Sequence, residues 1–175
     1  MIAFMAHTLG DLVQADKRLA EVTEWSLVGR RLELKLPLEI EGLIYEQFFF
    51  RASALEHLPD QLVTYQLEYH GVDIAGGTGP LCRLEWRPKG VHNNRGRGPD
   101  ELKFTDQRGS HFHSFSDNWD PEAGALLKDN LPIARPLEPE PETFEESLLL
   151  AGALFRVSNI GLIKPPEWSW ELGLQ

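Results

Sequence analysis

Three of the six histidines fall between residues 92 and 113. In Ser110-His111-Phe112-His113-Ser114 two of them are separated by one residue. An extended backbone there sends both imidazoles to one face, with Cβ atoms about 7 Å apart, and turns Phe112 toward the core. Two chemistries use such a pair. As neutral ligands, imidazoles hold a transition-metal ion, with His92 or Asp117 as a third donor, because imidazole and carboxylate suit zinc, manganese or iron. As a proton-transfer pair near neutral pH, one imidazole serves as base and another as acid in RNA cleavage or phosphate transfer. A solvated strand face with no chemistry is the third alternative. His111, His113 and His92 are the candidate catalytic residues, and of the two chemistries the acid/base one leads, with no cofactor and no resident metal.

The charge distribution favours an anionic ligand at this end of the chain only. The 175 residues carry 17 basic and 27 acidic side chains, a formal net charge of −10, so a surface that coats nucleic acid or an anionic membrane is excluded. Between Arg83 and Arg108, however, seven basic side chains face four acidic ones, which leaves +3 there and −13 elsewhere. Arg83, Arg87, Arg95, Arg97 and Lys103 are the candidate ligand-binding residues. The loop Lys89-Gly90-Val91-His92-Asn93-Asn94-Arg95-Gly96-Arg97-Gly98 mixes cations, amides and glycines able to approach a phosphate. The alternative for this loop is an exposed segment whose arginines pair with acidic neighbours.

The elements that must position these residues read as an α+β fold in a single domain. Thr8 and Asp11 are spaced as an N-cap pair, and Leu9, Leu12, Val13, Leu19, Ala20 and Val22 predict a helix over residues 9–24. The period then drops to two. Alternation predicts antiparallel strands over 31–40, 43–54, 63–69 and 81–87, with Pro37 at an edge or bulge. Two further strands, 102–105 and 110–115, joined by a hairpin turn at 106–109, complete a meander of about five or six strands. Beyond residue 117 a Pro-rich segment to 141 contains one short helix near 121–128. Thr143 and Glu146 form a capping box that starts a helix over 144–156, packed with the first helix on one sheet face. Trp168 and Trp170, in the tail 165–175, are expected to dock on the body or on a partner.

Other chemistry is ruled out or ranks low. The single cysteine, Cys82, excludes an internal disulfide framework and multi-cysteine zinc sites, and its place on a strand fits a small core residue. Gly76-Gly77-Thr78-Gly79 lacks the Lys-Ser/Thr ending of a P-loop. No run approaches a membrane span, and the opening Met1–His7 has no basic n-region, so a cytosolic protein is expected.

Arg83-Leu84-Glu85-Trp86-Arg87, then His92-Asn93-Asn94, then Gly109-Ser110-His111-Phe112-His113 resemble the TumE-like proteins of bacterial toxin–antitoxin modules, over roughly residues 83–113. The family shows paired histidines where this chain has His92-Asn93, and it lacks the C-terminal helix. The resemblance implies a small intracellular protein working with a neutralising or DNA-binding partner. The functional expectation is a cytosolic accessory protein, toxin-like, that engages RNA or another phosphate-bearing ligand through the basic strand and loop. The alternative is a non-catalytic interaction module using the acidic surface and the Trp tail.

Overall fold

A computed structural model describes residues 8–71, 74 and 79–169. The element order is α1 (Leu9–Gln14), β1 (Arg18–Leu19), β2 (Ser26–Val28), β3 (Arg31–Ile40), β4 (Leu43–Leu55), β5 (Val63–Tyr69) and β6 (Gly79–Trp86). It continues through β7 (Val91–Asn93), β8 (Asp106–Arg108), β9 (His111–His113), α2 (Phe115–Asn118), β10 (Trp119–Asp120), β11 (Ala125–Leu126), β12 (Arg135–Pro136) and α3 (Phe144–Phe155), ending in a 3₁₀ turn at Ile160–Leu162. The fold is α+β. One antiparallel eight-stranded sheet runs β1-β3-β4-β5-β6-β9-β12, with β2 also paired to β3. No helix among the described residues is long and apolar enough to cross a membrane.

Alternation decides what each sheet face carries. Leu34, Leu36, Phe50, Ala52, Tyr65, Leu67, Leu84 and Trp86 are buried in one cluster with Leu9 and Leu12 of α1 and Phe144, Leu148, Ala151 and Phe155 of α3. Both helices therefore cover the same face. The residues between them in sequence, including Glu33, Arg51, Glu68, Arg83 and Glu85, belong to the opposite face. There Arg51 bridges Glu33 at 3.2 Å and Glu68 at 3.3 Å across three strands. Pro37 sits at a register shift of β3 against β4, as its missing N–H requires.

Four expected elements differ. The N-terminal helix starts as predicted, with Thr8 and Asp11 forming a reciprocal capping box, but it ends at Gln14 and not near residue 24. Lys17, which is buried, turns its Nζ back onto the carbonyls of Leu12, Val13 and Ala15 at 2.9, 2.8 and 2.6 Å and closes the helix. Residues beyond it are taken by β3, with Leu19 opposite Leu38 and Ser26 opposite Glu33. Residues 102–105 form turns and not a strand. Asp106–Arg108 pairs with Val91–Asn93 in a separate two-stranded sheet, so the 106–109 hairpin is absent and residues 88–99 are not all loop. The helix expected near 121–128 is a hairpin, because Asp120 Oδ1 accepts from Glu122 N and Ala123 N and so makes a turn between β10 and β11. The capping box at Thr143 and the helix after it stand as expected, ending at Phe155.

Candidate metal centre

Strand β9 enters the sheet beside β6 with Arg83 opposite His113, Leu84 opposite Phe112 and Glu85 opposite His111. Directly opposed residues share a face. Phe112 therefore joins the helical side, its ring 6.2 Å from that of Phe155, while His111, His113, Arg83 and Glu85 meet on the other. That side is roofed at this end of the sheet. The β7–β8 pair brings His92 over β9, and residues 131–134 close the other flank. Their backbone is fixed by two buried asparagines. Asn94 Nδ2 donates to Leu102 O and Ala134 O, both at 3.1 Å, while its Oδ1 accepts from Ala134 N at 2.9 Å. Asn118 makes the same two-way bond to Ile133, donating to its carbonyl at 2.9 Å and accepting from its N–H at 2.8 Å. Under this roof His111 and His113 are buried and His92 is half-buried.

The three rings converge. Their centroids lie 4.8–5.3 Å apart, and one ring nitrogen from each falls within 4.8 Å of the others. Three points so placed have a common centre no farther than about 2.8 Å from each, against about 2.0–2.1 Å for a zinc–imidazole bond. A sub-ångström contraction would bring all three nitrogens to that distance.

Hydrogen bonding fixes which nitrogens are available. His111 Nδ1 meets the carbonyl of Gly109 at 2.9 Å and His113 Nδ1 that of Leu131 at 2.6 Å, so in both neutral rings Nδ1 carries the proton and Nε2 the lone pair. His92 Nε2 faces Pro132 O at 2.9 Å and Asn94 Oδ1 at 3.0 Å, and Asn94 is held in that orientation by its other bonds. Nε2 is thus its donor and Nδ1 its lone pair. Each imidazole has one nitrogen tied to an oxygen acceptor and the other left basic, the arrangement in which outer hydrogen bonds orient metal-ligating histidines. Leu131, Asn130 and Asp129 hold φ values of 59°, 58° and 75° in succession, a costly left-handed run that delivers the Leu131 carbonyl to His113.

Two buried polar atoms at the convergence have unmet capacity. His111 Nε2 has no hydrogen-bond partner. Arg83 Nε lies 2.8 Å from Glu85 Oε1, but its hydrogen is not aimed at that oxygen. Glu85 Oε2 stands 3.5 Å from His111 Nε2 and its Oε1 3.8 Å from His113 Nε2. Two ligands of one tetrahedral ion are about 3.3 Å apart, so the Glu85 carboxylate lies near that spacing from two of the three rings, outside the cluster of the three ring nitrogens. Arg83 Nη2 reaches His113 Nε2 at 3.3 Å. Burial keeps the His111 and His113 rings neutral. Burial pushes His113 down to about 2, assisted by the Arg83 guanidinium, and burial likewise lowers His111. Neutral imidazoles are ligands or bases, and neither buried ring is the imidazolium that a general acid requires at neutral pH.

The other candidates are distributed unevenly. Arg95 and Arg97 join Arg83 and His92 along a cleft of about 350 Å³. Arg97 is paired there with Asp129 at 2.7 Å. Lys103 is engaged by Asp100 at 2.6 Å. Arg87 lies elsewhere: its guanidinium covers the Trp86 ring at 4.9 Å and donates to Glu142 O at 2.9 Å, clasping the Pro-rich segment. Asp117 is not beside the histidines. It lies in the first turn of α2, where its carboxylate accepts from the Ser114 hydroxyl at 2.8 Å and receives Arg135 Nε and Nη2 at 2.6 and 2.9 Å. Cys82 is buried, which pushes its thiol up to about 12. Trp168 packs against Phe144 with ring centroids 5.7 Å apart, and Trp170 lies outside the described residues. Sequence reasoning missed Glu85 as a site residue and Asn118 as a roof support. The register of β6 against β9 was the signal for Glu85, since Glu85 and His111 both alternate with core residues. No known protein family, curated protein or solved structure matches the chain.

Proposed function

We propose that this chain is a metal-dependent protein whose centre holds one first-row transition-metal dication on His92, His111 and His113, with Glu85 completing the donor set. The observation that carries the reading is the convergence of three imidazoles, each with one nitrogen bonded to an oxygen acceptor, around a buried His111 Nε2 that has no partner. A buried acceptor without a partner is costly, and an ion bound there removes that cost. Imidazole and carboxylate donors suit zinc, and iron or manganese by the same chemistry. Bound at such a site, the ion would polarise a ligand oxygen or lower the pKa of a water. The ribonuclease expectation changes form in this reading, because the histidines hold the ion and are not themselves the proton-transfer pair.

Elemental analysis of the full chain, purified after zinc-supplemented expression and dialysed, tests this. One zinc per chain is expected, falling to a small fraction in a folded His111→Ala/His113→Ala double variant. Zinc-free wild-type protein, or equal zinc in the double variant, contradicts the reading.

A further inference from the structure

We infer that Arg83 and Arg95 form an oxyanion subsite beside the metal position, so that the ligand presented to the ion is a phosphate-bearing one; this rests on the metal reading above. Arg83 is the hinge of the inference. Its side chain is 12% exposed, it lines the cleft, and its Nη2 occupies the His113 lone pair that an ion needs. A bound dication therefore displaces Nη2 from His113, and the cleft is the space that Arg83 already borders. Among the described residues, Glu85 is the only carboxylate paired with Arg83. Once it shares its charge with a dication, the guanidinium and the ion leave an excess of positive charge in a desolvated place. An anion spanning the two offsets that excess.

The cleft selects phosphate among anions. Three arginines line it against one carboxylate, Asp129, which Arg97 already engages, on a chain whose net charge is −10. Arg95 has no ion-pair partner among the described residues. Its turn is fixed by Asn93 Oδ1, which accepts from Arg95 N at 2.7 Å, with Arg95 itself at φ 51°. Guanidinium groups match the geometry of a phosphoryl group, each donating two parallel N–H bonds to a pair of its oxygens. A volume of about 350 Å³ accommodates a phosphoryl group together with part of the molecule that carries it.

Calorimetric titration of the full zinc-loaded chain with inorganic phosphate, a dinucleotide and acetate tests the subsite. Phosphate and the dinucleotide should bind at least tenfold more tightly to the zinc-loaded chain than to the metal-free one, and acetate more weakly than both. Arg83→Gln should lose phosphate at least tenfold while holding zinc as tightly or more tightly, since a competitor for His113 and Glu85 is gone. Arg95→Gln, in an exposed turn, should weaken phosphate severalfold and leave zinc affinity unchanged. Absence of zinc binding by the wild type defeats the metal reading itself. Zinc binding with no phosphate binding, with equal acetate binding, or with phosphate affinity unchanged in both arginine variants defeats the subsite alone. Preference for the dinucleotide over inorganic phosphate places the phosphate in a nucleic acid; preference for inorganic phosphate places it in a small molecule.

Discussion

Asn94→Ala should unfold the roof of the site before it touches any ligand. The Asn94 side chain is buried and makes four hydrogen bonds: to Leu102 O, to Ala134 O, from Ala134 N and from His92 Nε2. Alanine removes all four and takes the Asn94 partner from both the N–H and the carbonyl of Ala134, which is fully buried, while Leu102 O keeps Thr105 N and Oγ1. At about 1 kcal/mol net for each bond, the loss is about 3–4 kcal/mol of unfolding free energy, a large share of a small domain's stability. His92 keeps Pro132 O but loses the partner that holds its ring from the other side. Loss of such an outer hydrogen bond typically weakens metal binding about 10–100-fold, so zinc affinity should fall in that range. Asn94→Asp should destabilise at least as much at neutral pH, because it sets a carboxylate against the Leu102 and Ala134 carbonyls. Urea denaturation measures the first effect and chelator competition the second. A stability loss under about 1 kcal/mol would refute the view that this asparagine holds the roof.

Three further outcomes follow from other contacts. Lys17→Met removes the ammonium that closes α1 and leaves three carbonyls unmet, at a cost of about 3 kcal/mol in chemical denaturation; a midpoint equal to wild type would show that water replaces it. Gly152→Ala places a methyl group against Ile160 Cγ2, and 3.2 Å from Val157 O, where α3 meets the 3₁₀ turn; thermal unfolding should show a loss of about 1–3 kcal/mol, and a gain in stability would contradict the packing. Asp117 is held below the usual carboxyl range by its bonds from Arg135 and Ser114. A folded-state pKa below the unfolded one stabilises above the unfolded value, about 3.9, and that stabilisation is lost as pH falls through the folded value. Asp117→Asn should therefore be less stable than wild type by about 1 kcal/mol at pH 6, with the gap closing below about pH 4; a pH-independent gap would assign the loss to something other than ionisation.

Much of the sheet was legible because its signal is local. In β3, β5 and β6 every second residue is apolar, and that alone separates the helix-covered face from the polar one. The same alternation put His111 and His113 on one face and Phe112 in the core. The N-terminal helix was overextended because Leu19 satisfies a helical period as well as a strand one, and only its pairing with Leu38 of β3, distant in sequence, decides between them. The hairpin at β10–β11 was missed because Asp120-Pro121 serves helix starts and tight turns equally. The site's convergence was legible only in part. His92 stood out by type, but its approach to His113 depends on the β7–β8 pair and on Asn94 reaching Ala134, forty residues away. Glu85 looked like one charge among several, because its role follows from a strand register and not from its neighbours. Arg87 was assigned to ligand binding on charge alone, and charge does not reveal that a guanidinium sits over the Trp86 ring.

The most direct test of the central claim is the visible absorption spectrum of the full chain titrated with cobalt(II), a spectroscopic stand-in for zinc. Ligand-field bands of a four-coordinate site, saturating at one equivalent and absent from the His111→Ala/His113→Ala double variant, are the expected result. A spectrum that remains that of the hydrated ion through the titration, or equal bands in wild type and double variant, would contradict it.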